Sequence, residues 1–347
     1  MKKDNNIQPL SAKIGEVRFR QKLVKQHRGE KVYYPTHMSA RESLCDLKKR
    51  NQNTLKIFKE LKKNKIALEP FLEVGGEKCN RAAILTSKMG YRGAAMDISG
   101  ESLESANFFC SKFGFKNLPI RVCADAYHLP FADNLLAFVF TFQTLHHLPD
   151  PQPVVKEIYR VLAPGGYFYF GEEPISQVFN LNLWRRDGYH LRWWEKILKA
   201  FIILHFISRP GKSEVEEGIL EETFTFETWE KALDQFDQVE AELKAFPFGP
   251  TASVIKTNKA GWIKPNLFAK TALDILGGGI QGSLCQKKGK LPNLERDILK
   301  ILICPDCEGK LYRKSGYLKC QSCQRRYPVK NGVLYILPKN LMEKLYP

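Results

Sequence analysis

The chain has 347 residues, 44% of them hydrophobic and 26% charged, and a net charge of +17. This composition is globular and leaves room for two or three domains with a large buried core, which excludes an extended or disordered polymer. No run of about 18 uncharged apolar residues occurs, so no transmembrane helix is expected. Met1-Lys2-Lys3-Asp4 is followed by no apolar core, so no signal peptide is expected either, and a cytoplasmic protein is the reading.

The positive charge is unevenly placed. Residues 1–65 hold 18 Lys/Arg against six Asp/Glu. Such an arm suits an anionic partner, either RNA or a membrane surface, and is equally explained by a solvated basic helix. Residues 1–38 are weakly patterned. From Ser39 to about Lys65 the spacing of Leu44, Leu47, Leu55, Phe58 and Leu61 predicts a helix, capped near Ser39 or Ser43.

The most informative stretch is Phe71–Ser99, which reads as strand, glycine turn, helix, strand. Phe71–Val74 is apolar except for Glu73, Gly75 and Gly76 make the turn, and Gly90 ends the helix. The second strand ends on Asp97, 24 residues after Glu73. A glycine turn lets backbone approach a ligand, and an acid at the next strand end can accept two ribose hydroxyls. Glu77 in the turn would repel a pyrophosphate at a helix N-terminus. A ligand with ribose and no phosphate fits better, and S-adenosylmethionine is one.

A helix over Glu101–Phe113 and a strand over Ile120–Cys123 follow, leading to Asp125. That acid could accept an adenine amine or simply initiate a turn. Leu136–Phe142 is wholly apolar, as in the middle of a parallel sheet. The segment Gln143–Asp150 leaves its carboxyl end, where ligands of open α/β sheets bind. His146 and His147 are therefore candidate general bases, with Glu172 and Glu173, after a fifth strand at Tyr167–Phe170, as further candidates.

Five features in this order, E-V-G-G at Glu73, D-I-S at Asp97, A-D-A-x-x-L-P-F at Ala124, L-H-H-L-P-D-P at Leu145 and L-A-P-G-G at Leu162, resemble a class I S-adenosylmethionine-dependent methyltransferase of the type 11 group. The resemblance covers about residues 66–175. It implies an α/β fold with a Rossmann-like, doubly wound, seven-stranded, mostly parallel sheet. It also implies that Glu73, Gly75 and Gly76 form the cofactor turn, Asp97 and Ile98 the ribose side, Asp125 and Ala126 the adenine side, and Gln143 the methyl-donor side. Glu77 and Cys79 depart from the family, which usually has glycine there.

Residues 175–285 are less patterned. A lid or insertion is expected at about 175–235. Within it Leu191–Ile207 reads as one aromatic, apolar helix, for which core packing, a lid over the acceptor pocket and a membrane interface all serve. A capped helix is expected to start at Thr228. Val239–Phe246 and Thr251–Lys256 read as the last two sheet strands, and Gly277–Gly279 with the basic Gln286–Lys290 as a linker.

Domain boundaries are placed at 1–65, 66–285 and 293–347. In the last of these, Cys304, Cys307, Cys320 and Cys323 make C-x2-C-x12-C-x2-C, the spacing of a four-thiolate structural zinc site. With nine cysteines in all, an odd number, a metal site in a reducing compartment suits better than a disulfide frame. The flanking Tyr327–Val333 resembles the small zinc-ribbon activators that partner tRNA, ribosome and protein methyltransferases, which implies that the ribbon acts in cis. The sequence thus predicts transfer of a methyl group to a small or lipid-linked metabolite, and leaves peripheral membrane contact open. An RNA acceptor is the alternative, and a non-catalytic scaffold with a degenerate cofactor site a second alternative.

Overall fold

The computed structural model describes residues 8–35, 38–177, 179–181, 183–185, 190–245, 251–257, 261–263 and 267–347. The chain forms two compact units interleaved in sequence. One comprises residues 17–141, 153–169 and 286–347; the other comprises the chain up to residue 16, then 142–152 and 170–285.

The first unit contains a parallel sheet built from β1 (Phe71–Val74), β2 (Gly93–Asp97), β3 (Ile120–Cys123), β4 (Leu136–Phe142) and β5 (Leu162–Gly171). Their order is β3-β2-β1-β4-β5, the doubly wound arrangement in which the chain reverses direction between β1 and β4. β1 pairs in parallel with both β2 and β4, with Glu73 opposite Ala95 and Phe140. Every residue of β1 and β4 is buried, as two helix-covered faces require. Phe58, from the helix Ala40–Lys63, meets Phe140 and Phe138 edge-on at centroid distances of 5.2 and 6.1 Å. Ser39 caps that helix in a capping box with Glu42, an arrangement worth about 1 kcal/mol.

The zinc-ribbon segment extends the same sheet. Leu311–Lys314, Tyr317–Cys320 and Arg326–Lys330 form an antiparallel meander. Val333–Tyr335 pairs antiparallel with Arg326–Lys330 on one side and parallel with β3 on the other, Val333 opposite Arg121 and Tyr335 opposite Cys123. The N–H of Ile336 donates to the Cys123 carbonyl at 2.8 Å. The buried Arg121 donates to the carbonyls of Leu103 and Asn331. The ribbon therefore covers what would be the exposed edge of β3, an edge open to unwanted pairing.

Local differences from the sequence reading have identifiable causes. The weakly patterned start holds a helix, Leu10–Leu23, and a hairpin of Lys25–His27 with Glu30–Val32. The helix expected over Glu101–Phe113 is two, Gly100–Glu104 and Ala106–Lys112, meeting at Ser105. In the second unit the helix expected from Thr228 runs Phe226–Leu233, because Thr225 is the cap.

Gln238–Ala245 and Thr251–Thr257 are strands, paired antiparallel as a hairpin; Phe246, also assigned to the first, lies outside the described residues. The strand beside Gln238–Ala245 on its other side is Gly278–Gln286, read from sequence as part of a linker. The glycines misled the reading: a Cβ on Gly278 would lie 2.3 Å from the Lys244 carbonyl oxygen, so glycine serves close packing there rather than flexibility. Lys287, in the same supposed linker, is buried, and its ammonium donates to Asn134 and to the carbonyls of Tyr159 and Leu162.

The single helix expected over Leu191–Ile207 is Trp193–Ala200 followed by Ile203–Ile207, broken at Ile202, whose φ is +65°. Core packing does not explain it, since Trp193 is 74% and Phe201 73% exposed.

Candidate active site

The glycine turn expected to hold the cofactor lies in the first unit. Gly75 has φ +73°, and a Cβ on Gly76 would lie 2.9 Å from that of Ala95, so the turn presses against β2. Glu77 and Cys79 have φ of +43° and +57°, the left-handed region that glycine adopts readily. Holding non-glycine residues there costs on the order of 1–2 kcal/mol each.

The Glu77 carboxylate explains why the turn tolerates an acid. Its Oε1 accepts from the Tyr33 hydroxyl in a short hydrogen bond, and it lies 3.0 Å from Lys78 Nζ and 3.4 Å from Arg20. Burial alone would raise its pKa, but Lys78, Arg20 and Tyr33 hold the carboxyl well below the usual carboxylate range. The Lys78 ammonium also lies 4.0 Å from the Tyr33 ring centroid. Part of the basic arm is thus spent on neutralising Glu77 in the glycine turn. Sequence reasoning missed Arg20 and Tyr33, because they meet the turn only through folding and carry no local pattern.

Glu73 is buried, and its Oε2 accepts from the Ala82 N–H at 3.0 Å in the first turn of the helix Asn80–Met89. Asp97 bridges the site: Oδ2 accepts from the Glu77 N–H at 3.0 Å and Oδ1 from the Ser99 N–H at 2.9 Å. Asp125 is buried and accepts from the Tyr127 N–H at 3.2 Å, so the turn-initiating role is present. Ile98 and Ala126, beside Asp97 and Asp125, are half-buried. Gln143 belongs to the second unit, where it is exposed with φ +51° and its N–H donates to the Gly171 carbonyl. Both polar side-chain atoms of the buried Asn80, at the foot of the turn, have no partner among the described residues. An unpaired buried amide beside a glycine turn and a carboxylate strand end fits a polar ligand.

Burial pushes the Glu73 carboxyl up to about 8, against the opposing pull of Arg81 and the Ala82 N–H. In the unfolded chain it titrates near the ordinary carboxylate value. Between these two values only the folded state holds the proton, so this group's contribution to stability falls as pH rises from about 4.5 to about 8. The wild type should lose thermal stability through that window more steeply than Glu73→Gln, as melting curves would record; equal slopes would mean that Glu73 stays charged throughout.

The ribbon braces the same site. The Tyr346 hydroxyl donates to the Ile98 carbonyl at 2.9 Å and accepts from the Gly100 N–H at 2.7 Å, directly after Asp97. Tyr335 donates to Glu104 at 3.0 Å. Sγ atoms of Cys304, Cys307, Cys320 and Cys323 all lie within 4.8 Å of one another, with Cys304–Cys323 at 3.7 Å and Cys307–Cys320 at 3.5 Å. A tetrahedron with metal–sulfur bonds of about 2.3 Å has edges of roughly 3.8 Å, so the four thiolates fit zinc.

In the second unit the 3-10 turn Leu145–His147 presents two imidazoles, with ring centroids 4.3 Å apart. His146 Nδ1 lies 2.8 Å from Oε2 of the fully buried Glu173. Glu173 also accepts the N–H groups of Thr144, Leu145 and His146 at 2.8, 3.0 and 3.1 Å. With Glu173 accepting, the imidazole carries its proton on Nδ1 and its lone pair on Nε2. His147 Nδ1 lies 2.9 Å from the Leu220 carbonyl oxygen. His146 lines a cavity of about 510 Å³ walled by Trp184, Ile202 and Leu204, with Arg209 and Glu221 as charged lining groups.

Residues 72–170 match the family model described as a methyltransferase domain, and residues 295–332 match that of the Trm112p-like proteins. Among similar curated proteins, the methyltransferase GfsG of Streptomyces halstedii is 34% identical over 95 residues, 27% of this chain and 34% of that one. The ubiquinone/menaquinone biosynthesis C-methyltransferase UbiE of Haemophilus ducreyi is 36% identical over 90 residues, 24% and 35% of the two chains. The chain spans about a third of the length of these relatives. A solved complex of the Haloferax volcanii Trm112 methyltransferase activator aligns with 69% of this chain and 94% of its own, at 16% identity and a TM-score of 0.38. Residues 72–170 of this chain are a methyltransferase domain, and residues 295–332 are a Trm112p-like domain joined to it in the same polypeptide.

Proposed function

We propose that the chain is an S-adenosylmethionine-dependent methyltransferase acting on a small or lipid-linked metabolite. The observation that carries this reading is the His146–Glu173 pair at the wall of an apolar cavity of about 510 Å³, a volume in the range of small-molecule sites. Glu73, Gly75, Gly76, Asp97, Ile98, Asp125, Ala126 and Gln143 would hold the cofactor. The bound cofactor supplies a methyl group on a sulfonium, whose electron pair returns to sulfur as the methyl is displaced.

The chain's own residues orient the acceptor and exclude water around it, and orientation alone can supply roughly 7–11 kcal/mol. His146 Nε2 takes the acceptor's proton, while Glu173 holds the Nδ1 proton and stabilises the imidazolium. Cys304, Cys307, Cys320 and Cys323 would bind a structural zinc with all four positions filled by protein, so the ribbon's part is to brace rather than to react.

A lipid-linked acceptor is supported by exposed apolar side chains on the segments that line the cavity. Phe179, Leu181, Leu183, Trp193, Ile197 and Phe201 are all exposed, and Arg192, Lys196 and Lys199 accompany them. That composition suits an interfacial membrane contact. Among the described residues no helix is long and apolar enough to cross a membrane.

A second reading, RNA as acceptor, is favoured by the exposed Lys48, Lys49, Lys56, Lys59 and Lys63 on one helix. It loses support where other basic residues of the arm are used internally, Arg20 on Glu77 and Lys31 on Glu104. Methyl-label transfer into a host-cell extract, fractionated into lipid, polar small molecules, RNA and protein, decides between the two. Label in lipid or small molecules is expected. Label in RNA would replace the conclusion, and failure to bind S-adenosylhomocysteine would point to the scaffold alternative.

A further inference from the structure

Beside the cavity, Glu221 completes a second arrangement. Its Oε2 lies 3.8 Å from His146 Nε2 and its Oε1 lies 3.5 Å from His147 Nδ1. One ligand atom each from His146, His147 and Glu221 lies within 4.8 Å of the others, and all three residues are partly buried. The two segments are tied together by the backbone, since the Glu222 N–H donates to the His146 carbonyl at 2.8 Å.

We propose that His146, His147 and Glu221 form a site for a divalent transition-metal ion of the zinc class, distinct from the four-cysteine site. Two imidazoles and a carboxylate are the ligand types such ions take, and three protein ligands leave a position open. Here that position faces the cavity, since His146 and Glu221 both line it. His146 also has an outer partner of the kind metal-binding histidines use to fix ring and tautomer, Glu173 on Nδ1, which leaves Nε2 for the ion. Ligand atoms around zinc at about 2.0–2.1 Å lie roughly 3.3 Å apart, so modest side-chain rotation closes the set. The ion occupies the same Nε2 lone pair that the proposed base uses. Metal and acceptor proton therefore exclude each other at that atom. The inference shares the cavity with the proposed function but does not require methyl transfer.

The test is titration of the zinc-loaded full chain with Co²⁺, followed by calorimetry and visible absorption. A second equivalent is expected, with d–d bands and no thiolate-to-metal charge transfer. Glu221→Gln should abolish that equivalent and leave the ribbon's metal in place. Glu173→Gln should weaken it about 10- to 100-fold; as Glu173 also holds the turn, Glu221→Gln carries the decision if that variant does not fold. No second equivalent, or one indifferent to Glu221→Gln, overturns the inference. Binding of S-adenosylhomocysteine and methyl transfer by the same preparation would then leave the methyltransferase reading standing.

Discussion

Stripping zinc from the ribbon is expected to unfold it and to weaken cofactor binding at a site that contains none of its cysteines. A four-thiolate zinc contributes on the order of 10 kcal/mol to such a small module. The contacts that transmit the loss can be followed residue by residue. Asp306, between the first two cysteines, accepts from Arg325, from the Tyr327 hydroxyl and from the Lys339 N–H that opens the helix Lys339–Leu345. Just past that helix, Tyr346 holds the Ile98 carbonyl and the Gly100 N–H beside Asp97. Val333–Tyr335 meanwhile covers the edge of β3.

Chelation under reducing conditions should therefore lower affinity for S-adenosylhomocysteine by at least tenfold and promote aggregation, measured by calorimetry and light scattering. Tyr346→Phe isolates the brace from the fold. It leaves the N–H of the buried Gly100 without its partner, a cost of about 1–3 kcal/mol, whereas the Ile98 carbonyl keeps the Cys123 thiol at 3.3 Å. Zinc content should be normal and cofactor affinity reduced. Normal affinity in this variant would restrict the ribbon to covering the sheet edge.

What was legible in the sequence is what local pattern can encode. The apolar run Leu136–Phe142, the E-V-G-G turn and the C-x-x-C pairs each announce their structure within a few residues. The Ser39 cap and the helix after it were legible for the same reason. Contacts closed only by folding were not. Nothing near Glu77 tells that Arg20 and Tyr33 neutralise it, and so the acid looked like a defect in the turn. Glu221 sat in an acidic stretch with no visible link to His146, 75 residues earlier. Gly278 read as flexible because glycine is used both for freedom and for close approach, and only the neighbouring Lys244 carbonyl distinguishes the two. Exposure of Trp193 and Phe201 was hidden too, since an apolar helix in a core and one at an interface have the same composition.

Replacing His146 by Ala is expected to lower kcat by about 10²- to 10⁴-fold, the usual range for a lost general base, while affinity for S-adenosylhomocysteine stays within about twofold. The separation follows from the elements that carry the groups: the acids proposed to hold the cofactor are on β1, β2 and the segment after β3, whereas His146 follows β4. His147→Ala provides the contrast. Its Nδ1 lies against the Leu220 carbonyl, and among the described residues no buried carboxylate comparable to Glu173 stands behind it. Its loss should leave most of the rate, provided that metal is kept out of the buffer. An acceptor that carries no proton at the methylated atom during transfer would be insensitive to His146. A wild-type rate from His146→Ala with a protonated acceptor would mean that the pair with Glu173 shapes the turn Leu145–His147 and does no proton transfer. In that case circular dichroism and melting temperature, rather than turnover, should carry the whole effect of the substitution.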